Sequence, residues 1–304
     1  MTDTLSQYSV LALYSAMAIY AIAFVLFTLD LAKGASSDAP VGEASKVVVV
    51  PERRKLARVA MSLTVLGFVL QLAATLMRGF AASRVPWANM YEFAMTGTLI
   101  IVGVFLLVNL KWDMKFLGSF VTGLVLLLLG LAATRYYVEI VPLPPALQSY
   151  WLVIHVFVAT LATGFFALGF ALSLMQLLQT KRESAVAAKE KTRLGFLTRL
   201  PDSVQLENYA YRLIIIGFVL WTFTLIAGAI WAEKAWGRYW GWDTKEVWTF
   251  IIWTIYAGYI HARSTRGWRG TRSAWLAMVG FAAVMFNFTV VNIFFKGLHS
   301  YSGL

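Results

Sequence analysis

The sequence predicts an all-α fold, a polytopic transmembrane helical bundle of about eight spans with both termini on the outer side. Three observations predict it. The 304 residues are 60% hydrophobic and only 13% charged, with a mean hydropathy of +0.70, whereas soluble domains carry about 25% charge. Apolar runs of about 20 residues, enough to cross a bilayer core, recur along the chain. Finally, Lys and Arg alternate between successive loops. Loops 32–58, 111–115, 179–212 and 263–272 hold 19 of them, and the intervening segments together hold 7. Cytoplasmic loops collect positive charge, so the first set faces inside.

The spans read as 8–31, 59–77, 94–110, 116–134, 150–178, 211–231, 247–262 and 274–293. They are helices because a backbone in lipid must satisfy its own hydrogen bonds. Residues 1–304 form a single integral membrane domain. Loop 33–58, polar with Gly, Ser and Pro, reads as a mobile cytoplasmic linker. Loop 179–210, rich in charge, reads as a cytoplasmic surface helix. The net charge of +11 reflects topology and lipid headgroups, not nucleic acid. Cysteine is absent, which excludes disulfides, thiolate metal sites and thiol exchange by this chain. The first apolar run is too long for a signal peptide, and no basic segment precedes it.

The outer loops carry the aromatic, acidic and histidine residues. Six of the twelve Trp fall within 231–253. An aromatic belt at the membrane interface accounts for Trp231, Trp248 and Trp253. It accounts poorly for Trp236, Tyr239, Trp240 and Trp242, four aromatics in seven residues. Gly237 and Gly241 lie among them and permit close backbone approach to a flat ligand. Indole faces suit a large planar apolar ligand. Asp243 and Glu246 share a face if a helix has begun by then, and Arg238 and Lys245 are placed to meet ligand carboxylates. The combination suits a porphyrin with two propionates.

The three histidines are His155, His261 and His299. His155 and His299 fall on the same membrane side as the tryptophan loop. For one interfacial histidine, packing or hydrogen bonding is the plainer role. Two neutral imidazoles facing an aromatic platform can ligate one heme iron from opposite sides. His261 lies fourteen residues into its span, about 21 Å deeper. There it is either an intramembrane functional group or a histidine capping the inner interface.

The run Trp236-Gly237-Arg238-Tyr239-Trp240-Gly241-Trp242-Asp243-Thr244-Lys245-Glu246 resembles the tryptophan-rich "WWD" signature of heme-handling proteins. The ending Val291-Asn292-Ile293-Phe294-Phe295-Lys296-Gly297-Leu298-His299-Ser300-Tyr301 and the stretch Pro86-Trp87-Ala88-Asn89-Met90-Tyr91-Glu92 resemble the CcsA/ResC proteins of System II cytochrome c biogenesis, relatives of CcmC and CcmF. This resemblance implies a holocytochrome c synthase (heme lyase) complex in which segment 232–246 is the outer heme-binding loop. It further implies His155 and His299 as axial iron ligands, His261 as an inner transit site, heme b as the ligand, and a CcsB/ResB-type membrane partner. Apocytochrome c, through its Cys-x-x-Cys-His segment, would be the acceptor, in a bacterial plasma membrane or a thylakoid. A heme exporter or chaperone that forms no thioether is the alternative. An unrelated transporter with an aromatic gate would require broken helices or midplane charges, and the spans show no buried charged pair.

Overall fold

A computed structural model describes residues 2–35, 54–140, 148–192, 194–265, 267–295 and 297–298. These form helices α1 (Thr2–Ala35), α2 (Lys55–Ala82), α3 (Met90–Lys111), α4 (Gly118–Arg135), α5 (Tyr150–Ala187), α6 (Ser203–Trp236), α7 (Thr244–Ser264), α8 (Thr271–Phe288) and a short α9 (Val290–Phe294). Two one-turn 3-10 helices, Lys115–Leu117 and Gly195–Arg199, complete the described elements, and no strand occurs among them. Most of the expected linker 33–58, and residue 299, lie outside the described residues.

Small residues set the helix separations, as expected where lipid supplies no hydrophobic drive for helices to associate. A Cβ on Gly169 would meet Ile214 at 2.5 Å, one on Gly217 would meet Phe166 at 2.8 Å, and one on Gly228 would meet His155 at 2.8 Å. The residue numbers in each of these pairs add to the same total, so α5 and α6 are antiparallel in a single register along their length. α1 and α2 pair in the same manner. Tyr20 lies over Gly67, its hydroxyl donates to Gln71 Oε1 at 2.9 Å, and Ser9 donates to the Ala74 carbonyl at 2.8 Å.

Among the described residues, seven helices are long and apolar enough to cross a membrane, α8 and α9 counting as one span. α7 falls outside that set by composition, yet its contacts show that it crosses the same thickness. At one end its first turn adjoins the tryptophan loop that closes α6. Midway, Trp253 Nε1 donates to Thr222 Oγ1 (3.0 Å), and Trp221 Nε1 donates to the Thr249 carbonyl (3.0 Å). At the far end Arg263 pairs with Glu207 at 3.2 Å. Twenty-one residues rise about 31 Å, and α8 returns alongside with Trp248 packed on Phe286 and Gly280 beneath Tyr256.

Two sequence expectations are corrected. The region 179–210 is not a separate surface helix: α5 runs on to Ala187 and α6 begins at Ser203. The two extensions are joined where Glu183 accepts the Ser203 amide (3.0 Å) and hydroxyl (2.6 Å). Buried charged pairs are also present, at the helix ends. Glu92 is inaccessible and binds both Arg78 and Arg84. Glu207, buried with Arg263, also accepts the Ser273 hydroxyl and the Gly270 amide. Sequence cannot reveal such pairs, because their members come from different helices.

The Glu207 cluster ties α6, α7 and α8 together, so removing its carboxylate strands a buried guanidinium. Glu207→Ala is expected to destabilise the detergent-purified protein by about 3–5 kcal/mol, read as a lowered thermal midpoint. Glu233→Ala, which removes a half-buried partner of the exposed Lys234, is expected to leave the midpoint in place.

Candidate functional site

At the tryptophan-loop end, α3, α5, α6, α7 and α8 diverge around a mostly apolar cavity of about 210 Å³. His155, from the second turn of α5, enters its wall. His155 Nδ1 lies 3.0 Å from the Thr224 carbonyl oxygen. A carbonyl only accepts, so Nδ1 carries the proton and Nε2 is the nitrogen with the lone pair, the form that ligates metals. The ring lies nearly parallel to Trp231, with centroids 5.9 Å apart and planes inclined by 17°. Gly228 makes room for it. Thr224, Gly228 and Trp231 follow one face of α6 at helical spacing.

Trp231 is 1% exposed. This overturns its assignment to an interfacial belt, because a belt residue meets water and lipid headgroups. Trp253 is likewise turned toward α6, through its bond to Thr222. Trp236 stands edge-on to Trp231 at 4.7 Å, in a cluster with Trp151 and Leu152. Trp240 lines the cavity and meets Trp242 edge to face at 5.9 Å. Trp242 is 77% exposed, with a left-handed φ of 60°.

The polar residues of the loop shape it. Gly237 ends α6 with φ 69°, a left-handed cap that glycine adopts without strain. Gly241 lies directly beneath the Arg238 guanidinium, which a Cβ would displace. Asp243 and Glu246 form a capping box at the start of α7. Asp243 Oδ1 accepts the Lys245 amide at 3.0 Å. Glu246 Oε2 accepts the Gly241 amide at 2.8 Å and the Asp243 amide at 3.0 Å, with Arg238 Nη1 4.0 Å away. The carboxylate pair expected on one face is therefore the pair that folds the loop onto the helix.

Lys245, ahead of the apolar run of α7, lines the cavity and hydrogen-bonds Asn292 Oδ1. Burial pushes its ammonium down to about 8, against the nearby Asp243 carboxylate, which pulls the other way. Asn89 Nδ2, Asn287 Oδ1 and Glu246 Oε1 are buried on the cavity wall without a hydrogen-bond partner. The sequence reading missed Thr224, Gly228, Asn287 and Asn292. The helical spacing of Thr224, Gly228 and Trp231 was its one available signal.

The stretch 86–92 has a structural account. Asn89 caps α3 by accepting the Glu92 amide at 2.9 Å. Glu92 gathers Arg78, Arg84 and the Ala88 amide. His261 lies at the other end of the bundle, exposed in the last turn of α7, so the structure does not bring it to His155. His299 lies outside the described residues. The chain does reach its neighbour: the Leu298 amide donates to Asp243 Oδ2 at 2.9 Å.

The fold and site define a polytopic helical membrane protein with a tryptophan-walled cavity and an oriented histidine at one end. The Cytochrome C assembly protein family matches residues 87–299, and the chain belongs to it. Its relatives include proteins named cytochrome c biogenesis protein CcsA. That of Guillardia theta is 36% identical over 234 residues, covering 72% of this chain and 77% of the relative. That of Prochlorococcus marinus is 34% identical over 245 residues, covering 74% and 78%. Among solved structures, a chain titled Cytochrome c Heme Lyase CcmF superposes with a TM-score of 0.66 at 18% identity. The superposition covers 93% of this chain and 46% of that one, and establishes a shared fold.

Gly228→Ala places a methyl against the His155 ring, and overpacking of this kind costs about 1–3 kcal/mol. A lowered thermal midpoint is expected. Gly258, on α7, has open space at the same position, so Gly258→Ala is expected to gain about 0.5–1 kcal/mol from helix propensity.

Proposed function

We propose that this chain is the heme-presenting subunit of a cytochrome c synthase. In this reading it holds heme b at the outer membrane face, with His155 and His299 as axial ligands and the 232–246 loop as the aromatic wall. The observation that carries the reading is the His155–Thr224 bond, which presents an iron-binding tautomer within a cavity walled by Trp231 and Trp240. The cavity volume is below the about 300–1,000 Å³ of typical ligand pockets. A bound macrocycle would be gripped along one edge in this reading, leaving its vinyl groups clear. Each thioether forms when a Cys thiol of the acceptor's Cys-x-x-Cys-His segment adds across a vinyl group, sulfur to one carbon and hydrogen to the other. The protein contributes positioning; none of its residues is assigned as a nucleophile.

Lys245 and Arg238 receive the propionates. His261, exposed on α7, belongs to an inner transit site completed by a CcsB/ResB-type partner. The membrane is the bacterial plasma membrane, with the thylakoid as the alternative.

The test is the reduced absorption spectrum of the protein purified with its partner. Wild type is expected to show six-coordinate heme, and the His155→Ala/His299→Ala double variant to lose or shift it. A wild-type protein without heme under these conditions sinks the proposal. Covalent heme on a co-expressed apocytochrome c separates the synthase from an exporter or chaperone, which would load heme normally and form no thioether.

Lys245 adds a pH dependence. Its positive charge is present below about 8 and lost above, so heme affinity is expected to fall roughly tenfold between pH 7 and 9.5, as loss of one charge-assisted contact implies. In Lys245→Met this pH dependence is expected to disappear; an equal slope in both proteins would exclude Lys245 as the propionate receptor.

A further inference from the structure

We infer that Asp243 is a positioning residue that clamps the C-terminal segment to the tryptophan loop and thereby sets the place of the second axial ligand. The inference rests on the reading of His299 as that ligand. It is carried by a division of labour within one carboxylate. Oδ1 accepts the Lys245 amide in the α7 cap, whose box also includes a bond from the Glu246 amide to the Asp243 side chain; Oδ2 accepts the Leu298 amide, across 55 positions of sequence. The helix start does not require the Leu298 bond. Aspartate supplies acceptors on both oxygens, and its charge strengthens both bonds.

Gly297 supports the same conclusion independently. Its α-carbon lies so close to the Asp243 carboxylate that a Cβ would collide with Oδ2. Close approach is a structural reason for glycine here. Five residues before Gly297, Asn292, in α9, meets Lys245, the residue that donates its amide to Asp243. The chain is therefore held to the start of α7 at two points, at 292 and at 298, and the residue directly after the second is His299. Tethering the chain at Leu298, the residue before His299 in sequence, lowers the entropy cost of ligation relative to an untethered segment.

Three variants separate the clamp from the cap. Leu298→Pro removes the amide donated to Asp243 and leaves the α7 cap intact. Asp243→Ala removes both, and Asp243→Asn keeps one acceptor and a good N-cap. The first readout is the spectrum of the full-length protein purified with its partner. Leu298→Pro and Asp243→Ala are expected to convert at least roughly half of the six-coordinate heme to five-coordinate, as His299→Ala does, with added imidazole restoring the six-coordinate form. Asp243→Asn is expected to fall between these variants and wild type. Wild-type coordination in both Leu298→Pro and Asp243→Ala overturns the inference, and so does a loss of heme that imidazole cannot reverse, which marks Asp243 as a structural cap only. The second readout needs no heme: hydrogen exchange of the peptide containing Leu298. Protection in wild type that falls at least about tenfold in Asp243→Ala supports the clamp, and equal exchange overturns it. A wild-type protein that lacks six-coordinate heme but shows this protection refutes the ligand assignment of His299 and leaves the clamp standing.

Discussion

The separation between α5 and α6 is the constraint on which the site depends, and three glycines set it. Gly169, Gly217 and Gly228 each take a side chain from α5 or α6 into the space where a Cβ would stand. In lipid, where apolar surface gains little by leaving the solvent, such close packing supplies much of the association energy. Because all three pairs share one register, the position of His155 is decided along the whole seam and not locally. The ring arrives opposite the Thr224 carbonyl because Ile214 and Phe166 are seated further down.

The loop above this seam is organised by carboxylates. An aromatic-rich segment of this kind has many ways to collapse, and indoles alone do not select among them. Glu246 selects by accepting two amides from the loop, and Asp243 selects by tying the helix start to a segment 55 residues away. The indoles then divide by burial. Trp231 supports the histidine from within the bundle, Trp240 walls the cavity, and Trp242 stands in the open.

The helical fold was legible in the sequence because bilayer thickness imposes a length on every apolar run, and loop charge marks alternate sides. α7 was legible by loop-charge alternation although its apolar content is lower. The extent of α5 and α6 was not: charged residues such as Lys181 and Glu183 signal departure from lipid, and helices continue past that boundary when another helix is there to pair with. At the site, His155 and the tryptophan loop stood out because rare residue types were concentrated there. Thr224 and Gly228 did not, since a backbone carbonyl and a missing side chain leave no compositional mark. Trp231 was misread because burial belongs to the packing and not to the residue. Glu92 and Glu207 show the same limit, each being neutralised by arginines from other positions in the chain.

The length of α5 has a mechanical consequence. One unbroken helix carries His155 in its second turn and Glu183 near its end, a separation of about 42 Å at 1.5 Å per residue. α6 is fastened to it at two well-separated points, by His155 to Thr224 and by Glu183 to Ser203. The pair behaves as a stiff double rod longer than the hydrocarbon is thick. A rod pivoting about its midpoint moves its ends in opposite directions, and a rotation of about 5° displaces each by about 2 Å, of the order of the helix shifts that protein switches use. Tilting at one membrane face is thus reproduced, inverted, beside the imidazole at the other.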